Sequence, residues 1–141
     1  AYEGVIEACE AVPLGVVCLL SALRFHGLTT QAPFEVWLAV PRSSWTPVEK
    51  SVPIRLAWFS GAALTAGLEE HEFGGATIRV YGVAKTVADC FKFRGKIGLD
   101  VALEALREAQ LSKKTSADEL WRYAVICRVA NVMRPYMEAL A

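Results

Sequence analysis

Residues 76–94 read ATIRVYGVAKTVADCFKFR, and the spacing of the apolar side chains changes within this stretch at Gly82. Before Gly82, apolar and polar residues alternate, which is typical of a strand with one buried and one solvated face. After Gly82, apolar residues recur at helical spacing over residues 83–94. The stretch therefore predicts a strand that leads directly into a helix.

A pair of glycines predicts the partner of that strand. Residues 68–73 and 76–81 flank Gly74 and Gly75, and glycine tolerates the positive φ angles of a two-residue hairpin turn. We therefore predict a β-hairpin formed by these two segments.

The remaining segments predict more helices than strands. Ser116 and Glu119 stand three residues apart, the spacing of a capping box, and predict the start of a helix. Pro135 must either kink the last helix or mark the first turn of a separate one. Helices are predicted over residues 2–12, 16–28, 99–110 and 129–140, strands over residues 34–40 and 54–59, and a loop over residues 41–53.

The composition agrees with one folded domain. The chain has 141 residues, of which 54% are hydrophobic, with 15 basic and 15 acidic side chains and no net charge. This composition excludes a disordered chain and argues against a globally basic nucleic-acid binder. We predict a single α+β domain over residues 1–141: a small mixed or antiparallel sheet packed by helices in residues 1–82, and a mostly helical part in residues 83–141. An alternative treats the last two helices as a subdomain.

The sequence indicates neither a membrane span nor a metal site. The longest apolar run, residues 12–23, is interrupted by a proline and a glycine. His26 is expected to form a hydrogen bond at a helix end, where positive charge is favourable, and His71 to lie on a solvated strand edge. We expect reduced, buried thiols in a cytoplasmic protein without a metal or other cofactor. The cysteines, all far apart in sequence, are Cys9, Cys18, Cys90 and Cys127.

The motifs of several enzyme classes are missing from the sequence. No predicted strand contains the acid-x-lysine pair of restriction-type nucleases, and no Gly-Ser turn precedes paired aspartates as in nucleotidyltransferases. The GxGxxG motif, the Walker lysine loop and a nucleophilic serine elbow are also missing. We therefore expect a protein that is not an enzyme.

A basic stretch is the main candidate for a contact surface. Lys85 and Lys92 are seven residues apart on the predicted helix and so share a face, and Asp89 between them can pair with either. Arg94 and Lys96 continue the stretch. We interpret it either as a solvated helix face or as a positive rim for an acidic partner surface or for phosphate.

One tryptophan is the second candidate. Trp45 lies in the polar loop PRSSWTP, where it either folds back onto the domain or contacts a partner. Trp58, Trp121 and Tyr123 belong to predicted helices or strands and are expected to be buried. The predicted partner-contact residues are Lys85, Lys92, Arg94, Lys96 and Trp45.

Three longer stretches resemble one known family. They are CLLSALRFHGLTTQAPFEVWLAVPR (residues 18–42), IRVYGVAKTVADCFKFRGKIGLDVALEALREA (residues 78–109) and RVANVMRPYMEAL (residues 128–140). Together they resemble the C-terminal domain of the abortive-infection type IV antitoxins, the AbiEi family. None of these motifs is catalytic, so the resemblance depends on their order and spacing along nearly the whole chain.

The resemblance implies a function and its partners. Family members are bacterial, cytoplasmic antitoxins that also regulate their own transcription. Their N-terminal winged-helix domain binds operator DNA, and their C-terminal domain counters a nucleotidyltransferase-like toxin. We expect this chain to be the antitoxin domain without the winged-helix domain, so DNA binding is not implied for it. Type IV antagonism also does not assure a stable complex with the toxin.

The alternative function is the effector or dimerisation domain of a transcriptional regulator with no antitoxin role. In that case the helical C-terminal part would supply the symmetric interface of a homodimer.

Overall fold

A computed structural model describes residues 3–42 and 52–140. Helices and strands are mixed in the first half and the second half is helical, which confirms the predicted α+β class. The strands are β1 (Val16–Val17), β2 (Val36–Val40), β3 (Ile54–Trp58), β4 (Leu68–Phe73) and β5 (Ala76–Tyr81). The helices are α1 (Glu3–Ala11), α2 (Leu19–Phe25), α3 (Ala62–Thr65), α4 (Val83–Lys92), α5 (Arg94–Ile97), α6 (Leu99–Leu111), α7 (Ala117–Ile126) and α8 (Ala130–Leu140).

The strands of the described residues form one mixed sheet in the order β3-β2-β1-β5-β4. β1 lies at the centre, antiparallel to β2 and parallel to β5. β2 and β3 are parallel, whereas β4 and β5 are antiparallel, with Phe73 opposite Ala76. Gly74 and Gly75 between them have φ angles of 56° and 84°, so the predicted hairpin is confirmed.

The two faces of the sheet belong to different hydrophobic cores. On β5, Tyr81 belongs to the larger core, whereas Ile78 and Val80 belong to the smaller one. The larger core lies between the sheet and helices α2, α4, α6, α7 and α8. The smaller core includes Ala8 of α1, which covers the opposite face. Because side chains alternate along each strand, apolar residues of the sheet are buried on both of its faces.

Helix α4 lies at the centre of the larger core. It begins after Gly82, whose backbone is extended, and residues 84–91 are all buried. It contacts α2, α6, α7 and α8. The spacing of apolar residues predicted the helix correctly, but it did not predict that the polar side chains of α4 are buried as well. Those side chains need partners inside the protein.

The prediction of one helix over residues 16–28 is wrong at its start. The first residues form β1 instead, and α2 begins only at Leu19. β1 is defined by its pairing with β2 and β5, so tertiary contacts override the local pattern. The predicted end is confirmed, because Gly27 has a φ angle of 71° and the Leu28 N–H donates to the Leu23 carbonyl at 2.8 Å, as in a Schellman motif.

The C-terminal helices follow the predictions with small differences. The Ser116 hydroxyl accepts a hydrogen bond from the Glu119 N–H at 3.1 Å, so the predicted capping signal does start α7. Pro135 lies inside α8, which continues as one helix, so the alternative of a separate helix starting there is wrong. The short helices α3 and α5 were not predicted.

Candidate functional site

Lys85 is not part of an exposed basic rim, and that prediction is wrong. Its side chain is 0% exposed, and its Nζ lies 2.6 Å from Oδ2 of Asp89, which is also 0% exposed. The physical reason is the position of α4, which other elements cover on every side. Lys85 and Asp89 therefore form the predicted pair, but the pair is enclosed in the interior and cannot contact a partner.

Aromatic rings and a close backbone surround the Lys85 amine. Its Nζ lies 3.5 Å from the ring centroid of Tyr81 and 4.8 Å from that of Phe59, where ring faces attract a cation. The backbone at Gly67 closes over the stem of Lys85, because a Cβ at Gly67 would lie 2.8 Å from the lysine Cβ and 3.1 Å from Cε1 of Tyr123. The amine is therefore held away from solvent.

The second oxygen of Asp89 is also satisfied. Its Oδ1 accepts a hydrogen bond from the Sγ of Cys127 at 3.4 Å. Burial raises the pKa of Asp89 to about 6, and the neighbouring Lys85 ammonium opposes this shift. Burial, followed by the charge of Asp89, raises the pKa of Cys127 to about 12, so this thiol is protonated and donates. The Cys127 thiol therefore satisfies the second oxygen of Asp89 inside the larger core.

A stack of aromatic rings leads from this buried pair to the surface. Tyr81 and Phe59 stack at 5.6 Å with an interplanar angle of 6°, and Phe59 and Phe93 stack at 5.1 Å with an angle of 13°. Lys85 lies at the inner end of the stack, and the amine of Lys96 lies 6.0 Å from the Phe93 ring at the outer end. Phe93 is half-buried, so the outer end of the stack reaches solvent.

The other three predicted cations are exposed and lie together. Lys92 ends α4, and Arg94 and Lys96 belong to α5. The Nη1 of Arg94 donates to the carbonyl of Phe91 at 2.7 Å, which holds this arginine against the end of α4. Within residues 3–42 and 52–140, none of the three forms an ion pair. Their charges are therefore available to a partner.

We call the set Lys92, Phe93, Arg94 and Lys96 the basic–aromatic surface. A second cation–ring pair lies on the opposite face of the sheet, because Trp58 is paired with Val40 of the smaller core whereas Phe59 belongs to the larger core. Trp58 is 53% exposed, so the prediction that it is buried is wrong, and the guanidinium of Arg42 lies 5.0 Å from its ring centroid. Trp45, the remaining predicted contact residue, lies outside the described residues.

Both histidines contact neighbouring oxygen atoms of the protein. Nε2 of His26 lies 2.7 Å from the Tyr81 carbonyl and donates to it, near the end of α2 as predicted. Burial lowers the pKa of His26, so the ring is neutral at physiological pH and the favourable positive charge expected there is not present. His71 lies on the edge strand β4, with its Nε2 3.0 Å from Oε1 of Glu69.

The part of the chain that the structure describes contains no group of three histidine, cysteine or acidic side chains placed to hold a metal ion. A cleft of about 240 Å³ opens beside the start of α4, and its polar lining consists of Glu69, Lys85, Lys114, Glu119 and Tyr123. The Lys114 amine donates a hydrogen bond to the carbonyl of His26.

Comparison of the sequence with protein-family models and with curated proteins finds no match. Within the described ranges, none of the helices has the length and apolar character needed to cross a bilayer.

Sequence reasoning missed the burial of Lys85 and the ring stack that includes Phe93. One signal indicated the burial of Lys85, because Lys85 and Asp89 are spaced for pairing and stand among alanine, valine and cysteine on all sides of the helix. No local signal predicted the ring stack, because Phe59 and Phe93 are far apart in sequence.

Proposed function

We propose that this chain is the antitoxin domain of a cytoplasmic bacterial protein that counters a nucleotidyltransferase-like toxin. The observation that supports the proposal is the ordered resemblance of residues 18–42, 78–109 and 128–140 to the AbiEi family. The domain acts by recognition, through its exposed surface, and performs no catalysis of its own. A stable complex with the toxin is not required for this antagonism.

The resembling stretches supply the body of the fold. Residues 18–42 contain α2 and β2, and residues 128–140 contain α8. Residues 78–109 contain α4 and α5 and most of β5 and α6. Helix α4 contacts α2, α6, α7 and α8, so these stretches meet in the larger core. A resemblance located in packed elements supports a shared architecture, and the function then depends on what the surface presents.

The basic–aromatic surface supports recognition of an acidic partner. Lys92, Arg94 and Lys96 are exposed in a chain whose total charge is zero. Such a local group of cations creates a positive field that attracts acidic molecules and speeds their association. Lys85 is excluded from this contact set by its burial. The proposed contacts are therefore Lys92, Arg94 and Lys96, and Trp45 stays a prediction.

The proposal predicts that the neighbouring reading frame encodes a nucleotidyltransferase-like protein, and it is tested by growth rescue in bacteria that co-express the two proteins. We expect the wild-type chain to restore growth. Lys92→Glu combined with Arg94→Glu should abolish rescue, because it replaces an attractive surface by a repulsive one. Far-UV circular dichroism should show that the variant keeps its fold, since both side chains are exposed.

A matched control separates position from total charge. Three other cations are also exposed but lie elsewhere: Arg107 on α6, Lys113 between α6 and α7, and Arg122 on α7. Reversing two of these charges gives the same net charge as the test variant. If the control variant loses rescue as fully as the test variant does, or if the wild-type chain gives no rescue, the proposal is wrong.

The alternative, a dimerisation domain of a regulator, is favoured by a groove on the last two helices. This groove has a volume of about 430 Å³ and is lined by Trp121, Met137 and Ala117. Arg134 and Glu138 border it with opposite charges on one helix, so a copy related by a two-fold axis could pair with both. Light scattering across a range of concentrations tests this function, and a monomer throughout would exclude it.

A further inference from the structure

We infer that the outer edge of β3 pairs with the same edge of a second copy of this chain, so that the two sheets join into one. The inference goes beyond the proposed function and does not depend on it. β3 is the last strand of the sheet, and no strand within residues 3–42 and 52–140 lies outside it. An edge strand presents a row of backbone donors and acceptors that another strand can satisfy.

The hydrogen bonds to β2 show which backbone groups of β3 face outward. The Pro53 carbonyl accepts from the Val36 N–H at 2.9 Å, and the Phe59 N–H donates to the Val40 carbonyl at 3.1 Å. Because backbone groups of successive residues point to opposite sides of a strand, the odd-numbered residues of β3 face β2 and the even-numbered residues face the outer edge. The outward-facing residues, which offer three N–H and three C=O groups, are Ile54, Leu56 and Trp58.

The charged side chain of β3 lies away from this outer edge. The guanidinium of Arg55 lies 5.0 Å from the ring centroid of Trp37 on β2, and its Nη1 lies 3.6 Å from Oε1 of Glu35. Pro53 does not block the edge either, because the N–H that proline lacks would point towards β2. Charges and prolines are the usual means of preventing association of sheet edges, and β3 itself directs neither of them outward.

The opposite edge of the sheet has the protection that β3 lacks. β4 reads LEEHEF, and three of its side chains are exposed carboxylates. If β4 paired with its own copy in a register centred on Glu70, this glutamate would lie opposite itself, and a register centred on His71 would place Glu70 opposite Glu72. Like charges directly opposite each other are destabilising. The comparison favours β3 as the strand through which two copies associate.

A two-fold axis limits the ways in which two copies of β3 can pair. Residues opposite each other must point to the same face, so the axis of an antiparallel pair passes between two copies of one residue. When that residue is Leu56, Ile54 lies opposite Trp58, Arg55 lies opposite Ala57, and every outward N–H meets a carbonyl of the second copy. Centring the pair on Arg55 would oppose two arginines, and centring it on Ala57 would leave Ile54 without a partner in the strand. The register centred on Leu56 is therefore the favourable one.

The same register covers the exposed tryptophan. Trp58 is 53% exposed, although the guanidinium of Arg42 lies 5.0 Å from its ring centroid. Its neighbour across the axis is Ile54, which packs against the smaller core, and an aromatic side chain opposite a β-branched one stabilises a strand pair. One short strand per copy forms a small interface, so we expect a dimer that dissociates at micromolar concentration.

Sedimentation equilibrium of the whole chain over a range of concentrations is the first test. The mass should rise from 15.4 kDa towards twice this value as the concentration increases. Trp58→Pro should raise the dissociation constant of the dimer by roughly 30-fold or more, because each dimer loses two hydrogen bonds and two contacts between Trp58 and Ile54. An edge strand tolerates proline where the missing N–H faces outward, and Trp58→Lys, which keeps the backbone donor, replaces this variant if it unfolds.

A matched control separates this dimer from one formed through the last two helices. Trp121 lines the groove between α7 and α8, and Trp121→Ala should leave the dissociation constant unchanged. If Trp121→Ala abolishes the dimer while the folded variants at Trp58 keep it, the interface lies on the helices and the inference is wrong. A mass of one chain at every concentration would also overturn it.

Disulfide trapping tests the register. The Cα atoms of a hydrogen-bonded antiparallel pair lie about 5.5 Å apart, within the reach of a disulfide. Leu56→Cys should therefore link two copies under mild oxidation and give a dimer on a non-reducing gel, above the background of the wild-type chain with its buried and half-buried cysteines. Trp58→Cys is the matched control on the same face, because the two copies of this residue would lie about 14 Å apart along the strands and should not link. Equal linking of both variants, or linking of neither, would overturn the inference.

Discussion

Replacing Lys85 by methionine would leave the Asp89 carboxylate buried without a counter-charge. Both side chains of this pair are 0% exposed, and among the described residues Asp89 keeps only the weak Cys127 thiol as a donor. Removing one partner of a buried ion pair typically costs about 3–5 kcal/mol, because the remaining charge has lost its compensation. We therefore expect Lys85→Met to reduce the free energy of unfolding by an amount in this range.

The double variant Lys85→Met with Asp89→Leu should lose much less stability. It removes both charges and fills the space with apolar side chains of similar size, a replacement that is often neutral or stabilising by about 1–4 kcal/mol. Cys127 then loses its acceptor, which costs little because a thiol is a weak donor. The large cost of the single variant and the small cost of the double variant together define a strong coupling between the two charges.

Urea unfolding monitored by tryptophan fluorescence measures these differences. With a slope of about 2 kcal/mol/M, the single variant should shift the midpoint by about 1.5–2.5 M. If the single variant unfolds before any urea is added, Asp89→Asn offers a milder test, because it keeps the shape and leaves Lys85 without its anion. A midpoint for Lys85→Met indistinguishable from wild type would refute the argument that this pair is enclosed and mutually dependent.

Two further predictions concern the same region. The pKa of Asp89 is raised from 3.8 to about 6 by burial, so the native state holds this proton over a window where the unfolded state releases it. Asp89 therefore lowers stability as pH rises from about 4 to 6, by up to about 3 kcal/mol, and the loss is complete above this window. Urea titrations at several pH values measure the free energy of unfolding of the wild type and of Asp89→Asn. The wild-type value minus the variant value should fall as pH rises through this window, and a difference independent of pH would contradict the raised pKa of Asp89. Gly67→Ala should destabilise by about 2–4 kcal/mol, because it combines a positive φ angle of 74° with a Cβ 2.8 Å from Lys85. Gly74→Ala, with a φ angle of 56° and no atom within 4 Å of its Cβ, should cost only about 1–2 kcal/mol in a thermal melt, and equal losses in the two variants would contradict the close contact.

Local signals in the sequence predicted those elements that are determined locally. The Gly74-Gly75 turn specifies its hairpin through backbone conformation alone, and Ser116 specifies the start of α7 through one hydrogen bond. The helical spacing after Gly82 is likewise a local pattern. β1 could not be predicted in the same way, because its two residues form a strand only where β2 and β5 flank them.

The candidate surface was predicted only in part, for a related reason. Lys85 and Lys92 share a helical face in sequence, but exposure depends on what packs against that face. Lys85 is covered by the aromatic rings of Tyr81 and Phe59, whereas Lys92 stands at the end of the helix and reaches solvent. Sequence spacing gives the direction of a side chain along a helix, and only the tertiary structure gives its neighbours.

The buried pair belongs to the interior, and we propose that the exposed cations serve recognition. Growth rescue from the proposed nucleotidyltransferase-like toxin, measured side by side for two variants, separates these two roles. The Lys85→Met and Asp89→Leu double variant should restore growth, and the Lys92→Glu and Arg94→Glu double variant should not. Growth with the surface variant and none with the folded core variant would show that recognition does not depend on the exposed cations.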